Sequence, residues 1–278
     1  MSCIYKIREG MPSYTETENR IADYLLQHSS ESVLSSAQSL GEQIGVSPSA
    51  VIRFSHKLGY RGFTALKVDL ARDNPTEINN FDDMIDENDS METVVKKAEN
   101  LNKMLQNQAY RLINVEALGK AVDVLLNCNN IYLFGVSGSG IVCMDLMEKL
   151  TRINRMAVYH NDFHDQLAAA AHMTAQDAAI AVSYGGKTHE VNTAMQYAKE
   201  IGAKTIAITQ FKKSQLAKLA DILLYIPTNE RELRLGAIAS RNASLIVTDL
   251  LYLGLAKNKM DRTKDYLVKT KQVIQRLK

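Results

Sequence analysis

Two short loops carry the residue types that could hold a phosphate. The first is Gly135-Val136-Ser137-Gly138-Ser139-Gly140, which follows the apolar run Ile131-Tyr132-Leu133-Phe134. Gly135, Gly138 and Gly140 would let a ligand approach the backbone without a Cβ in the way. Ser137 and Ser139 add hydroxyl donors. A helical pattern then begins at Ile141, Met144, Leu146, Met147 and Leu150, and a helix start adds free N–H groups and the positive end of a dipole. The second loop is Ser183-Tyr184-Gly185-Gly186-Lys187-Thr188-His189-Glu190, again between an apolar run and a helical pattern. Each loop alone is a weak signal, since tight strand-to-helix connections use the same residues. Together on one sheet edge they could cup one anion.

Other chemistries fit less well. The dinucleotide fingerprint is G-x-G-x-x-G, whereas the first loop reads G-x-x-G-x-G. Asp162 stands about where a ribose contact would be needed, but in a loop rich in His and Asp. No G-x-x-x-x-G-K-[ST] occurs. The run His160-Asn161-Asp162-Phe163-His164-Asp165 resembles a metal cluster, yet it has no cysteine and no partner site. His189 suits a helix surface better than a general base. Glu230 and Glu232 could move a proton beside a carbonyl, but glutamates in a charged loop are usually solvated. No catalytic residue, metal or cofactor is therefore assigned.

The elements that would position the loops form a strand–helix alternation. Apolar strands are predicted at 131–134, 156–159, 178–183, 205–209 and 222–226, with helices near 141–151, 164–173, 188–201 and 214–219. Continuous apolar strands alternating with helices imply a parallel sheet covered on both faces. Ligands in such sheets bind beyond the carboxyl ends of the strands, where both loops fall. A long helix from about Ser90, a further one capped by Asn114, and two terminal helices at 235–256 and 263–277 complete this half.

The first eighty residues differ. Thr15-x-x-Glu18 is a capping-box pattern before Ile21, Tyr24 and Leu25. Ser35 or Ser36 can cap a helix through Leu40 and Ile44, which Gly45 ends. Ser47-Pro48 then starts a helix to about Leu58, with Val51, Phe54 and Leu58 on one face. Helix, glycine turn, helix is the layout of a helix-turn-helix. Its second helix would present Ser49, Ala50, Arg53 and Lys57. Arg53, Lys57, Arg61, Lys67 and Arg72 face only Asp69 as opposing charge between residues 47 and 72, which suits contact with nucleic-acid phosphates. A solvated basic face is the plainer alternative. Residues 73–92 hold eight acids and no Lys or Arg and read as a linker.

Bulk properties set limits. The 278 residues are 46% hydrophobic, enough for a packed core, and the net charge of +2 alone indicates no polyanion partner. Cys3, Cys128 and Cys143 are widely spaced and include no CxxC pair, which suits a reducing cytosol. Residues 1–12 have no signal-peptide pattern, and no run approaches the roughly 18 apolar residues of a membrane span.

Residues 13–72 and 115–256 resemble RpiR-type transcriptional regulators, which join a helix-turn-helix to a sugar isomerase (SIS) domain. The similarity is carried by Val46-Ser47-Pro48-Ser49-Ala50-Val51-Ile52-Arg53-Phe54, Lys57-Leu58-Gly59-Tyr60-Arg61-Gly62-Phe63, the two loops above, Gly202-Ala203-Lys204-Thr205, Ser214-x-Leu216-Ala217 and Gly236-Ala237-Ile238-Ala239-Ser240-Arg241. It implies an α/β chain: an all-α helix-turn-helix domain at 1–76, an acidic linker at 77–92, and a five-stranded α/β/α SIS domain at 93–278. It further implies a cytoplasmic regulator, not an enzyme, that binds a phosphorylated sugar and operator DNA as a homodimer or homotetramer. By position, Ser139, Ser183 and Thr188 match phosphate-contacting hydroxyls. Ser137 stands where glycine is frequent, Gly185 where serine is usual, Ala50 where threonine is common, and Lys187 where an acid is often found. The expected DNA contacts are Ser47, Ser49, Arg53, Lys57, Arg61 and Lys67. The expected ligand contacts are Ser137, Gly138, Ser139, Ser183, Gly185, Lys187 and Thr188. The rival expectation is a sugar-phosphate isomerase with a helical appendage, and a third is a regulator whose SIS domain only assembles subunits.

Overall fold

The computed structural model describes residues 3–73, 85–227, 236–258 and 260–277. Contacts divide the chain into two units, Met1–Ala98 and Glu99–Lys278. Most of the acidic stretch, residues 74–84, lies outside the described residues, as do Glu230 and Glu232. Of the remainder, Asp89 accepts from Lys97 at 2.6 Å and from the Asp86 N–H, forming a turn.

The first unit is helical: α1 Cys3–Gly10, α2 Glu16–Gln27, α3 Ser29–Leu34, α4 Ala37–Ile44, α5 Pro48–Lys57 and α6 Phe63–Asp73. The capping box forms as the sequence implies, with Thr15 and Glu18 satisfying each other's N–H groups. Ser36, not Ser35, caps α4. Gly45 ends it at φ 75°, a left-handed conformation that glycine adopts without strain. Ile21, Leu25, Leu40, Val51, Phe54 and Leu66 form one core, which Cys3 and Ile7 complete from α1. The N-terminal segment is thus part of the packed domain. The long helix α7 Met91–Leu112 follows, and the division between the units falls inside it.

The second unit continues with α8 Val115–Asn127, β1 Ile131–Phe134, α9 Gly138–Arg152, β2 Ala157–Val158, α10 Phe163–Ala170, β3 Ala178–Val182, α11 His189–Glu200, β4 Lys204–Gln210, α12 Gln215–Leu219, β5 Ile222–Ile226, α13 Ile238–Asn258 and α14 Met260–Gln275. The five strands are all parallel in the order β2-β1-β3-β4-β5. Side chains alternate faces along a strand, and two cores result. Ile131, Leu133, Ile180 and Ile206 pack toward α8, α9 and α13. Tyr132, Phe134, Ala179, Ala181 and Ala207 pack toward α10, α11 and α12. β1, β3 and the centre of β4 are apolar because both faces are covered, and the buried Thr205 and Thr209 of β4 donate to the Leu219 and Tyr184 carbonyls. β1 connects outward to β2 on one side, while β3 lies on the other. The crevice beyond β1 and β3 is therefore the point where strand order reverses, the place where open α/β sheets bind ligands.

At the opposite edge one carboxylate ties the same two strands together. Asp177 is buried and accepts from Asn130 N (3.0 Å), Asn130 Nδ2 (2.8 Å), Thr174 N (2.7 Å) and Thr174 Oγ1 (2.8 Å). Burial pushes this carboxyl up, but the four bonds outweigh it and hold it below the usual carboxylate range. A depressed native pKa stabilises above the unfolded value and is lost on acidification, here below about pH 4. Asp177→Ala should cost about 2–3 kcal/mol in urea unfolding at pH 7 and progressively less as the pH falls below about 4.

Candidate functional site

The two loops open onto one cavity, of about 330 Å³. The loop after β1 contributes Val136, Ser137, Gly138 and Ser139. The loop after β3 contributes Ser183, Tyr184, Gly185, Lys187 and Thr188. The start of α13 contributes Ala237, Ser240 and Arg241. All seven residues expected to meet a ligand thus line one space. Ser183 Oγ and Thr188 Oγ1 lie 3.0 Å apart across the second loop.

Three helices begin at this cavity: α9, α11 and α13. Elsewhere Thr15, Ser36, Ser47, Asn114, Asp162 and Ser214 cap their helices through a side-chain oxygen. Ser137 and Thr188, the N-cap residues of α9 and α11, form no such bond. Their helices therefore present first-turn N–H groups and positive dipole ends to the space. Lys187, exposed, and Arg241, half-buried, add two cations. No Asp, Glu or His is among the described lining residues. The arrangement attracts an anion from several directions at once.

The glycines of the first loop separate into two roles. A Cβ on Gly135 would meet Cys143 Sγ at 2.8 Å, and one on Gly140 would strike the Tyr159 hydroxyl. These two glycines make room for the protein itself, not for a ligand, which corrects the reading of all three as ligand clearance. Only Gly138 lines the cavity. In the second loop, Gly186 has φ 61° and would strike Ser214, whereas a Cβ on Gly185 would meet nothing within 4 Å.

Ser137 sits at φ 54°, ψ −128°, a combination that L-residues rarely adopt. Such strain persists only where the surroundings enforce it. Two residues earlier the backbone is clamped by Gln166, which sequence reasoning missed. This buried amide accepts from Gly135 N (3.2 Å) and donates to Gly135 O (3.0 Å) and His160 O (2.8 Å). Nothing in its local sequence marks it. Arg241 and Ser240 were also missed as site residues, although their hexapeptide stood out as a motif; they reach the cavity only through the topology. Asp162 caps α10 by accepting from His164 N and Asp165 N. Among the described residues no group of three His, Cys, Asp or Glu is placed to hold a metal ion.

In the first unit, α4, the Gly45 turn and α5 form the helix-turn-helix. Pro48 opens α5, and Ser47 Oγ accepts from Ala50 N at 3.2 Å. Ser49, Ile52, Arg53 and His56 are exposed. Ala50 is buried in the core, which corrects its expected outward position. Arg61 is exposed on the turn before α6. Lys57 and Lys67 are already engaged inside the domain. Lys57 Nζ donates to Glu18 Oε2 at 2.7 Å, and this ammonium is the main cause holding the Glu18 carboxyl below its usual range. Lys67 Nζ donates to Ser35 O at 2.8 Å and lies over the Phe63 ring.

Together these features define a two-part protein, a helix-turn-helix unit and an anion-receptive SIS-type unit. Family comparison agrees. Residues 1–77 match the helix-turn-helix domain of the rpiR family, and residues 124–254 match the SIS domain. An uncharacterized HTH-type transcriptional regulator of Caldanaerobacter subterraneus subsp. tengcongensis is 37% identical over 96% of this chain and 95% of its own length. The uncharacterized HTH-type transcriptional regulator YbbH of Bacillus subtilis is 32% identical over 100% of this chain and 98% of its own. Among solved structures, the Vibrio vulnificus NanR protein complexed with ManNAc-6P covers 100% of this chain and 99% of its own, with TM-score 0.64 and 23% identity. The sugar isomerase domain of the RpiR transcription factor from Sphaerobacter thermophilus covers 64% of this chain and 98% of its own, with TM-score 0.58 and 20% identity. At that identity the two structures show the fold alone. The chain belongs to the RpiR family of HTH-type transcriptional regulators with a SIS domain.

Replacing Ser137 with glycine should relieve about 1–3 kcal/mol of backbone strain, more than the roughly 0.5–1 kcal/mol of extra entropy glycine loses on folding. The Ser137→Gly variant should therefore melt at a higher temperature than the parent. A lower midpoint would mean that the serine side chain, not the loop's surroundings, holds the turn.

Proposed function

We propose that the SIS domain binds a phosphorylated sugar and that binding changes the affinity of the helix-turn-helix for operator DNA. The cavity carries this reading. Three helix starts, two of them without side-chain caps, converge there with the Ser183–Thr188 hydroxyl pair, Lys187 and Arg241. A phosphate offers the charge and the oxygen acceptors that such a set satisfies. The naming of ManNAc-6P as the ligand of the NanR structure supports the same class.

A regulator is preferred to an isomerase because the chain joins a helix-turn-helix of the rpiR family to its SIS domain. Both close relatives in sequence are named as regulators. Ser137, Gly138, Ser139, Ser183, Gly185, Lys187 and Thr188 are proposed as ligand contacts, joined by Arg241. Ser49, Arg53 and Arg61 are proposed to touch DNA, with Ser47, Lys57 and Lys67 holding the reading helix and its neighbours in place. A homodimer or homotetramer would place two reading helices on two half-sites. For the ligand to act, it must bind one arrangement of these heads better than the other.

A thermal-shift screen of sugar phosphates, followed by DNA binding with the hit present, tests this. Ser183→Ala should weaken the effector about tenfold and leave ligand-free DNA affinity alone. Arg53→Ala should weaken DNA binding about tenfold or more and leave effector affinity alone. Equal damage to both functions by each variant would refute the division of labour, and no shift with any sugar phosphate would favour a SIS domain that only assembles subunits.

Gly185 supplies a gain-of-function test. Its φ is ordinary and its Cβ position is open, so a serine fits there without rearrangement. Gly185→Ser should tighten the effector about tenfold by adding one hydroxyl bond to a charged acceptor, read by calorimetric titration.

A further inference from the structure

The exposed stripe of α5 contains an apolar residue that the charge argument leaves unused. Ser49, Ile52, Arg53 and His56 stand at i, i+3, i+4 and i+7, one face of a helix. The opposite face, with Ala50, Val51, Phe54 and Leu58, is sealed in the core. Ile52 remains 40% exposed. A single exposed isoleucine is ordinary on a surface; its meaning comes from its place. It lies in the middle of the reading stripe, flanked by a hydroxyl one turn before and by a guanidinium beside it.

This is not the composition of a protein-docking patch, which needs contiguous apolar area. The Ile52 neighbours along the stripe are all hydrogen-bonding groups. In the major groove the base edges display donors and acceptors, and the one apolar feature among them is the 5-methyl group of thymine. Lys57, the cation that would otherwise share this stripe, is drawn aside to Glu18 at 2.7 Å. That leaves Ser49 and Arg53 to form polar base or phosphate contacts, and Ile52 between them with only an apolar partner to satisfy.

We infer that Ile52 is a specificity-determining residue that reads a thymine by packing on its 5-methyl group. The inference rests on the DNA-reading function proposed above for α5, and the test separates the two. The full chain is used to select a site from randomised duplex DNA. Each thymine of that site is then replaced in turn by deoxyuridine, which removes the methyl group and keeps every hydrogen-bonding atom.

The parent protein should lose about fourfold in affinity at one thymine per half-site, the worth of one buried methyl-sized group. Ile52→Val should keep that sensitivity. Ile52→Ala should bind the thymine site more weakly and show no further loss with deoxyuridine, with its melting temperature unchanged because the side chain lies outside the core. Binding that is indifferent to deoxyuridine at every position overturns the Ile52 inference while DNA reading stands. So does an Ile52→Ala variant with the parent's full deoxyuridine sensitivity, or one that changes only the oligomeric state. Failure to select any duplex defeats DNA reading by α5 and this inference with it.

Discussion

The structure depends on where uncapped helix starts are allowed to meet. A helix N-terminus left without partners is unfavourable, and six helices of this chain are capped by Ser, Thr, Asn or Asp side chains. At the reversal point of the sheet it does not. Ser137 and Thr188 stand in the capping positions of α9 and α11 and leave those positions unfilled by their own hydroxyls. The start of α13 and the Arg241 side chain close the same space. Positive ends brought together repel one another weakly, and an anion placed between them removes the repulsion and supplies the missing acceptors.

Holding such a site open requires rigid support, and the support is buried and neutral. Gln166 clamps both backbone polar atoms of Gly135, and Tyr159 fills the space beside Gly140. Burial pushes the Cys143 thiol up, so beneath the loop it serves as an uncharged packing group. The strained backbone of Ser137 lies between these two fixed points. On the far edge Asp177 locks the beginnings of β1 and β3, so the two strands that deliver the loops are pinned at the end away from the cavity.

Much of this was legible in the sequence, for local reasons. Thr15 with Glu18, and Ser47 with Pro48, announce helix starts because a cap is set by residues within three positions of one another. The five apolar runs announce a buried parallel sheet because strands covered on both faces need no polar side. Glycine was less legible. The sequence shows that a Cβ is missing, but not whether ligand or protein occupies the space; Gly138 and Gly185 face the cavity, while Gly135, Gly140 and Gly186 yield to neighbouring side chains. Arg241 was illegible as a cavity residue because its distance along the chain from both loops is closed only by the fold. The buried position of Ala50 was missed because its helix face is decided by packing against α2 and α4, which periodicity over ten residues defines only loosely.

The helix-turn-helix shows why a basic cluster should not be read as a set of equivalent contacts. A lysine that pairs with a carboxylate inside its own domain must give up that pair to reach a phosphate, so its net gain on binding DNA is reduced. Lys57 carries such a pair with Glu18, and Lys67 donates to the Ser35 carbonyl; Arg53 and Arg61 are exposed and carry none among the described contacts. Guanidinium groups also match paired acceptors on guanine or phosphate with fixed geometry, which an ammonium does not. Four of the five charges therefore divide into two engaged within the domain and two exposed without such bonds. Position along α5 alone would have ranked Arg53 and Lys57 together; the Glu18 carboxylate is what separates them.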